Sequence, residues 1–162
     1  MRFFVTGEQN RQLLINSLIL MFLAYVALLW ISNGLMYFHK MDLTAESVMS
    51  YYMGSEQNFT QPRSYQSLLE VSHFHLFAMG MLVLTLTHLM IMTSLPTWIK
   101  IWLSVFIYLA AIADEVAGWL VRFVSPWFAY FKIAAFLALE ASLLVLIVVV
   151  VLSLIESRRQ LH

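Results

Sequence analysis

No cysteine occurs anywhere in the chain. Disulfides, iron–sulfur clusters, thiolate metal sites and covalently attached c-type haem are thereby excluded, and any metal must take nitrogen, oxygen or thioether ligands. Charge is scarce: Asp, Glu, Lys and Arg make up 11% of the residues, nine basic against nine acidic, for a formal net charge of zero. Such a balance gives no purchase for nucleic acid or for a polybasic contact with anionic lipid. No internal repeat or low-complexity tract is present, and neither an HExxH pattern nor a serine–histidine constellation points to hydrolysis. What the chain has instead is apolar length. Hydrophobic residues reach 62%, with a mean hydropathy of +0.82, outside the range of water-soluble domains.

Four apolar runs account for nearly all of the 162 residues, from about Gln12 to Phe38, Tyr65 to Leu95, Trp98 to Phe123 and Pro126 to Ile155. Each is long enough to cross roughly 30 Å of hydrocarbon as a helix. The first is far longer than a signal-peptide core and reads as a retained span. Pro96 ends the second, and Thr97 is placed to cap the third. Ser125 is placed to cap the fourth, with Pro126 at its first helical position. Short connections make consecutive helices antiparallel neighbours, so the expected fold is all-α: a four-transmembrane-helix up-and-down bundle, one domain over residues 1–162. Residues 39–64 form the one sizeable segment outside the spans, and Thr44 to Tyr52 predict a short amphipathic helix there, capped by Thr44 and ended by Gly54.

Arg2, Arg11, Lys100, Arg158 and Arg159 fall on one side, and Lys40, Arg63, Arg122 and Lys132 toward the other. With arginines flanking both termini, both ends are expected in the cytoplasm and segment 39–64 outside. Tyr37, Tyr65, Trp98, Trp127 and Tyr130 sit where interfacial anchors sit. Most of the ten methionines fall at helical spacings suited to packing. Asn58-Phe59-Thr60 has the spacing of a glycosylation sequon, which matters only in a secretory compartment.

Six ionisable side chains remain inside the spans: His73, His75, His88, Asp114, Glu115 and Glu140. A central carboxylate costs about 2.5–3.5 kcal/mol on insertion scales and calls for a partner. Counting about 1.5 Å per residue, His73 and His75 lie at the depth of Asp114 and Glu115 beneath the same face of the membrane. His39 closes the first span at that face, and Glu70 lies one turn above His73. This agreement in depth predicts a site built from four helices. His73 and His75, however, point about 200° apart, so only one of them faces a given centre. Glu70, His73, Phe77, Met81, Leu84 and His88 share one face; His75, Met79, Leu82 and Leu86 share another. Glu70-x-x-His73 has the spacing of di-iron bundles, but such a centre needs the motif twice. A single haem between His39 and His73 or His75 remains open. Each residue also has a plainer reading: His88 bonding a neighbouring helix, Glu115 pairing with Lys132 or facing a partner subunit, and Glu140 holding helices together beside small alanines.

The block Ser72-His73-Phe74-His75-Leu76-Phe77, the run to Leu95-Pro96, and Asp114 through Trp119-Leu120 to Pro126-Trp127-Phe128-Ala129-Tyr130 resembles a poorly characterised bacterial family of four-span inner-membrane proteins. Some of its members carry the misleading label of an elongation factor, and some relatives hold a c-type haem motif in the exterior segment, which this chain lacks. The resemblance also covers His39 and Tyr51-Tyr52-x-Gly54. It implies His39, His73, His75 and Asp114 as the family-type polar positions. The expectation is an integral inner-membrane subunit, without independent catalytic activity, acting beside a larger respiratory or oxidase-type complex. It would hold a b-type haem or a single copper, zinc or iron ion on His39, His73, His75 and Asp114, with Glu70, Glu115, Glu140 and His88 in supporting or alternative roles. Its partners would be membrane lipid and other protein chains. A purely structural accessory subunit is the alternative, and a proton or ion path the third reading.

Overall fold

The structure, a computed structural model, describes residues 7–57 and 59–159. Arg2 and Asn58, the latter the acceptor of the sequon, lie outside the described residues. Five helices follow one another: α1 (Gly7–Lys40), α2 (Ala45–Met53), α3 (Tyr65–Ile91), α4 (Thr97–Phe123) and α5 (Phe128–Arg159). The four long ones are each apolar and long enough to cross a membrane. The chain is therefore a multi-pass membrane protein with α2 between its first two spans.

α5 is the helix the others share. α4 lies along it most extensively, and α1, α3 and α2 also rest on it. The reason is visible in its buried positions: Lys132, Ala135, Phe136, Leu139, Ser142, Leu143, Leu146, Ile147 and Val150 recur every three or four residues, a continuous stripe on a 3.6-residue helix. Two clusters fill the interior. Toward the termini, Leu23, Val26, Val83, Leu86, Met90, Ile107, Leu143 and Leu146 make a solid aliphatic core. Toward α2, Tyr37, Met41, Val48, Tyr52, Leu68, Val121 and Phe136 make a second, partly aromatic one.

α2 forms as expected. Thr44 Oγ1 accepts from the Ser47 amide at 3.3 Å, one of the donors that a helix start leaves free. Val48 and Tyr52 turn inward onto the bundle. Gly54 ends the helix at φ +81°, and a Cβ there would stand 2.6 Å from the Thr60 carbonyl oxygen, so both conformation and space demand glycine. The loop returns under its own bonds: Arg63 N–H to the Tyr52 carbonyl at 3.0 Å, and Arg122 Nε to the Arg63 carbonyl at 2.8 Å.

At the two short connections, three helix ends differ from expectation. α3 stops at Ile91 rather than Leu95, because the Met92 and Thr93 amides tighten into bonds to Leu89 and Met90. Lys100 Nζ then satisfies the carbonyls of Ile91 and Thr93 at 2.8 and 2.7 Å. Thr97 is the first residue of α4 and not its cap; Pro96 stands at that position without a side-chain bond. α5 starts at Phe128 and not Pro126, since Ser125 to Tyr130 wind first through tight turns whose amides at 128, 129 and 130 bond three residues back.

Candidate functional site

The ion pairs of the spans gather in the half of the bundle nearest α2. Asp114 and Glu115, adjacent on α4, diverge by about 100°, and each is taken by a different helix. Asp114 turns to α5: Lys132 Nζ lies 2.7 Å from its Oδ1 and also donates to its backbone carbonyl at 2.9 Å. Glu115 turns to α3: Ser72 Oγ donates to Oε1 at 2.5 Å, and His75 Nδ1 stands 3.2 Å from Oε2. Trp119, one turn further along α4, donates its indole N–H to the same Ser72 hydroxyl at 2.7 Å. α1 joins through Asn33, whose amide donates to Glu140 Oε1 at 2.5 Å, and Trp30 Nε1 donates to the Glu140 carbonyl at 3.0 Å. Measured along each helix from the α2 end, Asn33 is about 10 Å deep, Glu115 about 12, Asp114 about 14, His75 about 15 and Glu140 about 18.

Lys132 is only 7% exposed, so it is an interior residue rather than a boundary charge. A buried ammonium so placed needs its carboxylate, since an unpaired charge away from water is far costlier than a paired one. The expected pairing of Glu115 with Lys132 is corrected here: Asp114 holds the lysine, because its position on the α4 turn faces α5.

Two cavities meet at this cluster. One of about 230 Å³ lies toward α2, bounded by all five helices. A smaller one of about 70 Å³ continues toward the termini, where Gly80, Val83, Ile112 and Leu139 supply apolar walls. Asn33, His75, Asp114 and Glu115 border both. Lys40, Tyr51, Arg63 and Ser67 stand around the larger cavity at its α2 end, with the Arg63 guanidinium 4.2 Å over the Tyr51 ring. The Tyr37 hydroxyl is buried and has no hydrogen-bond partner among the described residues. Its ring is stacked on Phe136, centroids 3.7 Å apart. Tyr52 on α2 seals the opposite side, its hydroxyl within 2.8 Å of where a Cβ on Gly118 would be. Burial, with the Asp114 charge next, pushes the Tyr52 phenol well above its ordinary value.

Of the residues singled out by sequence, the fold brings together His75, Asp114, Glu115 and Glu140. It leaves His39, Glu70, His73 and His88 exposed on outward faces. Glu70 accepts from Gln66 of its own helix at 3.0 Å, and the His73 ring meets Phe74 edge-on at 6.0 Å. Asn33, Ser72, Trp119, Tyr37 and Lys132 complete the cluster; of these only Lys132 was expected to meet one of its acids, and that acid was Glu115. The signal available for Lys132 was its position one turn inside an apolar run, where a charge calls for an interior partner. Among the described residues no three His, Asp or Glu side chains form a group able to hold a metal ion. His39 and His73 lie on outward faces and do not gather with His75 and Asp114 into such a group.

The comparisons with known proteins complete these observations. No curated protein and no solved structure matches the chain. A family model does, over residues 42–161, which spans most of the chain and takes in α2 to α5. The protein belongs to that family, Aq_1264_TM, described as a transmembrane helical domain.

Proposed function

Proceeding from that membership, we propose that this protein is an accessory subunit of a larger membrane complex and that its working part is a proton-exchanging site near α2. The observation that carries this reading is the pair of acid–base contacts, Asp114–Lys132 and Glu115–His75, on one cavity. Side chains of this kind inside a membrane are costly and mark ion or proton sites when they line a cavity. Of the two pairs, Glu115–His75 is the one that exchanges. The His75 side chain is 48% exposed, against 9% for Lys132, and imidazole titrates near neutrality where lysine does not. Beyond the cluster the walls are aliphatic, which supports a site loaded from the α2 side rather than a path through the bundle. The arginines that flank both ends of the sequence support termini in the cytoplasm, and the resemblance to four-span bacterial proteins supports an inner-membrane placement.

Infrared difference spectra of the full chain in phospholipid nanodiscs, taken across pH 5–9, test the reading. An imidazole protonation signal is expected that disappears in His75→Ala and moves in Glu115→Gln. Spectra unchanged by both substitutions would overturn it.

The exposure of His73 at hydrocarbon depth, about 12 Å along α3, favours a second reading in which it serves a partner. An imidazole facing lipid is unfavourable, and a partner helix would cover it. A copper, zinc or iron ion, or a b-type haem, would then be shared between chains, with His73 as this subunit's ligand. Metal analysis and an absorption spectrum of the intact complex test this: His73→Ala should lose the centre and His88→Ala should keep it. A complex without stoichiometric metal and without a Soret band would sink it.

A further inference from the structure

The larger cavity has three properties that together select a ligand. The first is a hydrogen bond waiting to be made. Tyr37 is 6% exposed, its hydroxyl is buried without a partner among the described residues, and stacking on Phe136 keeps the ring from swinging toward one. A buried polar group left unpaired costs about 1–3 kcal/mol, so an acceptor from a ligand is favoured there. The second is neutrality. Each charge at depth is already answered, Lys132 by Asp114 at 2.7 Å and His75 by Glu115 at 3.2 Å, so the inner part of the cavity is neutral and the cationic side chains Lys40 and Arg63 stand only at its α2 end. The third is the boundary. Trp119 and Phe136 provide flat aromatic walls, while Met36 of α1 and Val71 of α3, at 54% and 47% exposure, stand where the cavity meets the outward surface of the two helices. A ligand can enter there from the bilayer and leave an apolar tail in it.

We propose that this cavity binds the head of a lipid-soluble quinone: a neutral planar ring whose carbonyl accepts from the Tyr37 hydroxyl, with its tail passing between α1 and α3 into lipid. At about 230 Å³ the space is below the roughly 300–1,000 Å³ of sites that enclose a whole drug-sized ligand, so it suits a ring with its tail outside. The ring would rest against Trp119, where offset stacking favours aromatic pairs. The proposal concerns binding alone and requires no proton to move at Glu115 or His75.

The test is a titration of the full chain in phospholipid nanodiscs with decylubiquinone, reading the thermal midpoint by circular dichroism. A ligand that binds only the folded protein raises that midpoint saturably. Tyr37→Phe removes one neutral hydrogen bond and should raise the half-saturating concentration about two- to tenfold. Met36→Trp, a change at an exposed position that narrows the opening, should abolish the effect and decides the matter if Tyr37→Phe does not fold. Decanol, which shares the tail and lacks the ring, should give no saturable rise. A cavity filled only by water predicts no saturable rise with decylubiquinone either, and that result overturns the proposal, as does an equal response from wild type and both variants, or from decanol. The infrared titration contains no quinone, so failure here and failure of the proton-exchange reading are separately visible.

Discussion

In the half of the bundle nearest the termini, Val83, Leu86, Met90, Ile107, Leu143 and Leu146 lose nearly all their exposure, and the buried polar side chains there, Asn16, Thr87 and Ser142, bond within their own helices rather than across to another. In the half nearest α2, the same four spans hold two ion pairs and an aromatic stack and, with α2, border about 230 Å³ of space. Lipid is as apolar as leucine, so the first half is held by dispersion and close fit rather than by escape from water. The second half gives up some of that contact for charges and room. Where a membrane bundle is left open and polar, it is held by specific pairs, and those pairs are the part with chemistry to offer.

That contrast can be broken most sharply at Lys132. Lys132→Ala strands the Asp114 carboxylate among buried neighbours, a change that typically costs about 3–5 kcal/mol. Thermal or denaturant unfolding in nanodiscs should show the largest loss of any single substitution here, with much of it recovered when Asp114→Asn is added. A loss no greater than that of a core truncation would mean that the α2 half is solvated rather than held by its pairs. Leu146→Ala in the aliphatic half should cost about 2 kcal/mol, the low end of core truncations, because lipid already solvates the exposed alternative. The infrared response of the His75–Glu115 pair should survive that change; its loss would show that the two halves are not independent.

A smaller effect is expected where α2 docks. An added methyl at Gly118 would lie 2.8–3.0 Å from the Tyr52 ring and hydroxyl, so Gly118→Ala must push α2 outward, at a cost of about 1–3 kcal/mol. Faster proteolysis of the 41–64 loop at an unchanged aliphatic core would locate the damage; equal protection in the two proteins would show that α2 is not seated by this contact. Last, His88→Ala, on an exposed face near the terminal end of α3, should shift stability by no more than about 0.5 kcal/mol. A loss comparable to that of Lys132→Ala would place an interior partner at His88 and redraw the boundary between the two halves.

Much of this architecture is legible in the residues. Run length and hydropathy foretell the number of spans, and Thr44 and Gly54 mark the ends of α2 because capping and left-handed backbone are local requirements. The ends at Ile91, Thr97 and Phe128 miss by one to four residues, since Lys100 and the turns after Leu89 and Ser125 act through groups a few residues away rather than through the capping residue alone. The site is legible in depth but not in direction. Helical geometry separates His73 from His75 by about 200° without saying which faces inward. In a water-soluble protein the more apolar face would answer that. Here Phe77, Met81 and Leu84 follow His73 as apolar neighbours, and Met79, Leu82 and Leu86 follow His75 in the same way.

The sequence by itself therefore determined a membrane protein of four spans, the short helix between the first two, and a common level for its ionisable groups, because these follow from length, hydropathy and rise per residue. Only the tertiary structure decided that His75 and not His73 meets Glu115, that Lys132 belongs to Asp114, and that the hydroxyl of Tyr37, a residue lining the cavity, is buried with no partner among the described residues. The reason is physical: in a bilayer both the interior and the surroundings of a helix are apolar, so hydropathy does not record which side is buried, and the choice falls to the fit of one helix against the next.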